Sequence, residues 1–294
     1  MDESRCKSRH KSAMMIRSGS LPPLPRDTAR AAEAVFGKGN AYLAIGDQFE
    51  QLLKDIDFAC LESIGRPIFT RAVLTLVTIF QFAEGLTDRC ALEAIRTRTE
   101  WKYALHLPLS YPGFEASALC RFRQIILADP AGREVFQQAL DRVAQTELFR
   151  NLNAQQSKSD EVIAAVCAIA CLEQLIEAMH AVLEALAAVE PRWLLTHSLP
   201  HWYERYDQMA TMKALPTSRA EQLVLAQAIG KDAAHLLEAI AAAGGAVARL
   251  PESQALRHIW QQQFNQNLPE TGWCLPRCVS CPGYYRFTDN LALH

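Results

Sequence analysis

The sequence predicts an all-α protein. Apolar residues recur every three or four positions along most of the chain, and no segment alternates apolar and polar side chains as a half-buried strand would. Ser, Thr and Asp residues precede many of these segments and Gly follows several, which are the signals that start and stop helices. We therefore expect two helical parts, joined near residue 155, and no β-sheet.

The first part begins with a polar, basic stretch over residues 1–24, which predicts a disordered leader. Asp27 or Thr28 is expected to cap the first helix, and Thr87 or Asp88 the helix that follows Gly85. Ser117 is the expected cap of a later helix. The helices predicted in this part span residues 28–36, 41–55, 68–84, 88–98, 117–127 and 132–149.

The second part begins after a polar segment without apolar periodicity, the predicted linker 151–160. A long apolar helix over 160–189 follows, with its glutamates on one face, and Pro191 stops it. His197 to Tyr206 predict a turn, and a capping box at Ser218 opens a helix that ends at Gly230. Further helices are expected over 232–243 and 252–264. The predicted organisation is a leader (1–24), an N-terminal helical domain (25–150), a linker (151–160), a helical region (161–265) and an irregular tail (266–294).

Composition places the chain among ordinary globular proteins, with 50% hydrophobic and 21% charged residues. The net charge of −2 conceals an asymmetry: residues 86–124 carry six Lys or Arg against four acids, and residues 158–262 carry eight against twelve. A polyanion would favour the first part. Nine cysteines, most within apolar helical patterns, and the lack of a secretory signal predict a reduced, cytoplasmic protein that does not span a membrane.

Short motifs follow one another between residues 81 and 123. Phe82 to Arg89 reads F-A-E-G-L-T-D-R, Trp101 to Leu105 reads W-K-Y-A-L, and Pro112 to Phe114 reads P-G-F. Ser117 to Arg123 reads S-A-L-C-R-F-R. In order and spacing, these motifs resemble the InsH-type N-terminal domain of bacterial insertion-sequence transposases of the DDE class. The resemblance implies a helical domain that binds the terminal repeats of a mobile element.

The second part resembles one subgroup of the same transposases, so that the resemblance covers roughly residues 25–265. Pro200 to Tyr206 reads P-H-W-Y-E-R-Y, and Leu256 to Phe264 reads L-R-H-I-W-Q-Q-Q-F. Val162 to Val166 reads V-I-A-A-V and resembles the V-L-A-A-V that follows the first catalytic Asp of the subgroup. When the two motifs are aligned without a gap, Lys158 takes the position at which the resemblance implies the first catalytic Asp.

DDE transposition requires convergent carboxylates that hold two divalent metals. Lys158 would repel Mg²⁺, and the rest of the RNase H-like sheet, expected after about residue 285, is missing before the sequence ends at His294. We therefore expect a truncated transposase without that sheet, without a metal or other cofactor, and without catalysis. Asp160 is an alternative metal ligand, out of register with the position of the catalytic Asp. An active metal-dependent nuclease would require Asp160 and Glu161 to act together with further carboxylates that the sequence does not identify.

Other residues have the spacing of metal ligands. The tail has a C-x3-C-x2-C pattern at Cys274, Cys278 and Cys281. An iron–sulfur motif and a zinc site completed by His258 or His294 are alternatives to the irregular tail that we favour. His197 and His201 would form a metal-binding pair on a helix, but Pro200 between them argues against a regular helix.

A candidate DNA-binding surface follows from the basic residues. Helix 72–84, the turn 85–87 and helix 88–98 have the proportions of a helix-turn-helix. On the later helix, Phe122 is expected to face the core while the arginines on either side face outward. The predicted DNA-binding residues are Arg96, Arg98, Lys102, Arg121 and Arg123. The alternative is an ordinary solvated face with packing aromatic residues.

The leading hypothesis is a truncated, catalytically inactive transposase-derived protein that binds DNA through its N-terminal helical domain. The alternative is a helical protein-interaction module without DNA binding, with helix 160–189 as its assembly surface. The first hypothesis predicts binding to duplex DNA that weakens steeply with salt. The second predicts a stable homo-oligomer.

Overall fold

The computed structural model describes residues 21–37, 39–64, 68–147, 158–211 and 214–264, and helices make up most of these residues. The predicted all-α fold is confirmed: the described segments contain no named strand, and an isolated β-bridge joins Leu86 to Ala214. The end of the predicted leader is described, whereas most of the leader, most of the linker with the predicted junction near residue 155, and residues 265–294 lie outside the described residues.

The helices of the first part lie close to the predicted positions. They are α1 (Arg26–Val35), α2 (Ala41–Asp47), α3 (Phe49–Leu53), a 3-10 helix (Phe58–Ile64), α4 (Ile68–Glu84), α5 (Asp88–Thr97), α6 (Thr99–Ala104), α7 (Ala116–Ala128) and α8 (Pro130–Ala144). The segment predicted as one helix over 41–55 is two helices, and Asp55 then reverses the chain with φ 59°. The residues predicted at the end of helix 88–98 lead into a separate helix, α6.

The second part is built on one long helix. Its helices are α9 (Ser159–Val189), α10 (Pro191–His197), α11 (Trp202–Thr211), α12 (Arg219–Ala243), α13 (Gly245–Arg249) and α14 (Pro251–Gln263). The turn predicted over 197–206 is shorter than expected: it is confined to residues 198–201, between α10 and α11. The helix end predicted at Gly230 is wrong. Trp260 Nε1 donates to the carbonyl of Gly230 at 3.0 Å, and a side chain at this position would collide with Phe264, so Gly230 permits a close approach within a continuous helix.

The predicted caps are confirmed at one position. Thr87 Oγ1 accepts a hydrogen bond from the backbone N–H of Cys90 at 3.2 Å and caps α5. Thr28 instead lies inside α1 and donates to the carbonyl of Leu107 at 2.8 Å, which joins α1 to the end of α6. Ser117 lies inside α7, and Ser218 stands at the start of α12 without a side-chain capping bond.

Helix α4 is the centre of the first core. Every residue from 72 to 81 is buried, which explains why this is the most apolar predicted helix of the first part. Aromatic residues surround it: the rings of Phe80 and Trp101 meet edge to face, with centroids 5.3 Å apart. Phe122 and Phe136 complete this side of the core.

Helix α9 belongs to both cores. Val162, Ile163 and Cys167 pack in the first core, and the following turns from Ala168 to Leu186 pack in the second. The helix is long and apolar enough to span a membrane, but 78% of its most apolar stretch is buried inside the protein. Packing therefore accounts for its composition, and the predicted assembly surface on this helix is mostly occupied by the protein's own helices.

Candidate nucleic-acid interface

Helices α4 and α5 are joined by a three-residue turn, as predicted for a helix-turn-helix. Gly85 takes φ 66°, and Leu86 N–H donates to the carbonyl of Gln81 at 2.9 Å, so the chain leaves α4 sharply before Thr87 caps α5. The outward face of α5 consists of Arg89, Glu93, Arg96 and Thr97, which recur at helical spacing and are exposed.

Two of the five predicted DNA-binding residues are exposed. Arg96 lies at the end of α5 and is exposed, and its Nε donates to the carbonyl of Pro112 at 3.0 Å. Arg121 is exposed on α7 and has no ion pair among the described residues. Because α5 packs against α7, the two arginines stand on neighbouring helices.

Arg98 is held by its own protein. Its guanidinium lies 2.6 Å from Glu84 and 2.7 Å from Glu100, over the rings of Tyr42 and Trp101 at 5.4 and 5.2 Å. Burial alone would lower the pKa of Arg98, but hydrogen bonds to the two carboxylates raise it above its usual range. Glu84 also accepts from the Tyr42 hydroxyl and from Trp101 Nε1, so this cluster joins α2, α4 and α6.

Lys102 is buried rather than projecting from the end of α5. It lies within α6, and its Nζ donates to the carbonyl of Leu109. Burial lowers the pKa of this amine, because the charged form is poorly solvated there. The expected outward position of Lys102 is therefore wrong.

Arg123 is also buried, with 1% of its side chain exposed. Its Nη1 and Nη2 donate to the two carboxylate oxygens of Asp88 at 2.8 and 2.7 Å, and Gln81 Nε2 donates to the same carboxylate at 2.8 Å. The expectation that Arg123 faces outward assumed that α7 has a single buried side. Instead α7 packs against α4, α5, α8 and α9, so the adjacent Phe122 and Arg123 both turn inward.

An acidic contact from α9 was missed in the sequence. The buried Glu173 accepts a hydrogen bond from the N–H of Asp88 at 3.2 Å, at the N-terminus of α5. Arg89 Nε lies 3.7 Å from Glu173 and 3.6 Å from Glu177. The sequence pattern predicts these glutamates on one amphipathic face and gives no signal that this face meets α5.

A segment from the second part also covers the turn. Residues 214–217, which we call the strap, precede α12 outside any helix. The strap forms the isolated antiparallel bridge between Leu86 and Ala214, and Leu215 N–H donates to the carbonyl of Gly85 at 2.8 Å. A side chain at Gly85 would lie 2.4 Å from the Leu215 carbonyl oxygen, so the turn and the strap can only meet at a glycine.

The position aligned with a catalytic Asp lies at the start of α9. Lys158 is exposed, and its backbone N–H donates to Glu161 at 3.2 Å. Asp160 lies 3.7 Å from Arg133, with 66% of its side chain exposed. Within the segments that the structure describes, no group of three or more His, Cys, Asp or Glu side chains has the arrangement of a metal site.

The remaining candidate ligands have local roles or lie outside the described residues. His197 stacks on Trp193 with ring centroids 4.3 Å apart, and its Nδ1 lies 2.8 Å from the Trp193 carbonyl. His258 contacts Gln262 on the exposed side of α14. The predicted motif of Cys274, Cys278 and Cys281, together with His294, lies outside the described residues.

Five cysteines lie in the described segments, and three of them are buried: Cys90, Cys167 and Cys171. The other two, Cys60 and Cys120, are partly exposed. Burial raises the pKa of Cys171 to about 12 and that of Cys60 to about 11. Both therefore remain protonated at neutral pH, which suits packing better than nucleophilic chemistry.

Residues 32–125 match the model of a family described as a transposase domain (DUF772). The matched range runs from α1 to α7 and contains α4, α5, the turn between them and all five predicted DNA-binding residues. Neither the curated proteins nor the solved structures include a match to the chain. The family match supports a relationship to transposases, and thus a transposase-derived protein.

Proposed function

We propose that this transposase-related chain binds duplex DNA through α5 and α7 and does not catalyse strand transfer. The observation that carries the proposal is the pair of exposed arginines, Arg96 and Arg121, on neighbouring helices of the matched domain. A recognition helix lies in the major groove, and basic residues near it contact phosphates and fix its position. The remaining predicted residues act differently: Arg98 is partly accessible, whereas Lys102 and Arg123 stabilise the fold.

The electrostatic contribution of this surface is modest. Glu93 lies between Arg89 and Arg96 on the outward face of α5, so it would repel a phosphate backbone placed there. Arg26 and Arg30 add exposed positive charge on α1, which packs against α6. Few phosphate contacts imply weak binding at physiological salt, because non-specific affinity grows with the number of phosphates neutralised.

The DNA-binding test is a titration of the full chain with duplex DNA at several salt concentrations. Replacing Arg96 or Arg121 by Ala is expected to reduce the slope of log affinity against log salt by about one unit each. The Arg257→Ala variant is the matched control, because it removes an exposed arginine from α14 in the second part. Glu93→Gln should instead strengthen binding. Equal salt slopes in the parent, Arg96→Ala and Arg121→Ala proteins would refute this interface.

The proposed lack of catalysis rests on the start of α9. A two-metal site needs several carboxylates that converge on the ions. Lys158 places a cation at the aligned position, and Asp160 points toward Arg133 with most of its side chain in solvent. Neither arrangement favours a divalent ion.

We expect the chain neither to cleave nor to join DNA ends in Mg²⁺ or Mn²⁺, and Lys158→Asp should not create that activity. A gel assay with an end-labelled duplex measures both, with heat-denatured protein as the control. Metal-dependent cleavage by the parent that disappears in an Asp160→Ala variant would show that Asp160 serves as a ligand.

A further inference from the structure

The N-terminal turn of α5 is the part of a recognition helix that normally meets base edges. Here the three residues that enter it, Leu86, Thr87 and Asp88, are all buried. Arg123 and Gln81 cover the Asp88 side chain from the first part, while Glu173 on α9 and the strap cover the turn from the second part. The end of α5 that carries Arg96 remains open to solvent.

Two hydrogen bonds join the first part of the protein to the second part at this contact. Glu173 accepts from the backbone N–H of Asp88, and the Leu215 N–H donates to the Gly85 carbonyl. Anions are favoured at a helix N-terminus, where a bound DNA would place a phosphate, and here a carboxylate of the same protein takes that place. Glu173 and Glu177 also partly neutralise Arg89, which is 47% exposed and is the first basic residue of the outward face.

A shallow crevice of ≈ 10 Å³, about the space of one water molecule, lies at this contact between Arg89, Glu177, Met209 and Leu215. Burial raises the pKa of the Glu177 carboxyl, while Arg89 and His180 act in the opposite direction. Opening would return Glu177 to water, which removes part of the desolvation cost of the closed state.

We infer that Glu173, Glu177 and the strap form an autoinhibitory cover over α5, and that this cover must open before the N-terminal turn of α5 can engage DNA. The inference rests on the proposed DNA binding and adds its regulation. In the closed state, DNA can reach Arg96 and Arg121 but not the N-terminal turn of α5. Duplex phosphates then compete with the two glutamates for Arg89, so DNA binding and opening of the cover promote each other.

A reversible cross-link tests whether the cover must open. Residues paired across an antiparallel bridge lie about 4.5–5.5 Å apart at Cα, within the range that a disulfide spans. The Leu86→Cys, Ala214→Cys double variant of the full chain should therefore form a disulfide on oxidation that holds the strap on the turn. Binding of a fluorescent mixed-sequence duplex is measured by anisotropy before and after reduction, and peptide mass spectrometry verifies the cross-link.

The oxidised double variant should bind DNA at least roughly tenfold more weakly than its reduced form, within the range usual for coupled sites. The parent, taken through the same oxidation, controls for its nine native cysteines. If oxidised and reduced forms bind equally well, the cover is refuted while the proposed DNA binding stands.

A second variant keeps the test independent of the cross-link. Glu177→Gln removes one carboxylate from Arg89 and should tighten binding several-fold, whereas Glu184→Gln, on the exposed side of the same helix, should not. If Glu177→Gln and Glu184→Gln bind DNA like the parent, the cover is refuted again. If the parent, the reduced double variant and Glu177→Gln all fail to bind DNA, the proposed function itself is wrong.

Discussion

Arg121 and Arg123 lie two positions apart on α7 and have opposite roles. Arg121 faces solvent, whereas Arg123 forms a two-pronged pair with Asp88, thirty-five positions away in the sequence. Both charges are buried away from water, so each depends on the other for stabilisation. The pair therefore fixes how α5 and α7 meet beside α4. The residues that carry the transposase resemblance, including Asp88, Trp101 and Lys102, are mainly of this kind: buried and bonded within the fold.

Replacing Asp88 by Ala leaves the Arg123 charge buried without its counter-ion. We expect a loss of about 3–5 kcal/mol in the free energy of unfolding, the usual cost of breaking a buried pair. Urea unfolding at neutral pH, followed by circular dichroism, measures it. Arg121→Ala is the control, and should stay within about 0.5 kcal/mol of the parent, as expected for an exposed residue. A similar small loss in both variants would mean that Arg123 finds another stabilising partner.

The five basic residues also show why the candidate site could be predicted only in part. The sequence reveals charge and helical position, which was enough to place Arg96 and Arg121 on the surface. Burial of Lys102 and Arg123 depends on the loop at Leu109 and on Asp88, and these contacts arise only when helices distant in sequence pack together. Glu173 escaped prediction for the same reason.

At the scale of helices, local signals located most elements correctly. Apolar periodicity with Gly85 and Thr87 is enough to place α4 and α5 within a residue, because the cap and the glycine act through their immediate neighbours. Predictions failed where a distant group decided the outcome. At Gly230 the helix continues, and the absence of a side chain lets Trp260 of α14 and its C-cap residue Phe264 pack against the backbone. The residues next to Gly230 in the sequence give no indication of that contact.

Thr87 and Ser218, two of the predicted N-caps, provide a matched comparison. Only Thr87 makes the capping hydrogen bond, so Thr87→Ala should lower the free energy of unfolding by about 1 kcal/mol and Ser218→Ala should change it by a few tenths. Thr87→Ser keeps the hydroxyl and should restore most of the loss. Thermal and urea unfolding of the four proteins measure the difference. An equal loss at both positions would contradict the assignment of the cap to Thr87 alone.

At the scale of the whole molecule, α9 makes the two parts interdependent. Its first turns complete the core around α4, and its later turns are the centre of the second core. Glu173 and the strap add polar contacts between the parts. The prediction that both regions are helical is confirmed. The sharing of α9 between two cores could not be predicted, because a buried helix has the same high hydropathy whether it packs in one core or in two.

This sharing predicts that the described helices unfold as one cooperative unit. Phe49→Ala weakens the first core, at α3, by about 3–5 kcal/mol, and the loss should reach the second core through α9. Pulsed hydrogen exchange with mass spectrometry, at increasing urea, measures protection of α4 and α12 separately in the same sample.

Both helices should lose protection at the same lowered urea concentration, whereas Arg257→Ala should leave both near the parent value. Were α12 to keep the parent's urea dependence while α4 opens early, the two cores would be thermodynamically separate. The cover over α5 would then be a contact between two independent domains, and its opening would need no unfolding of either.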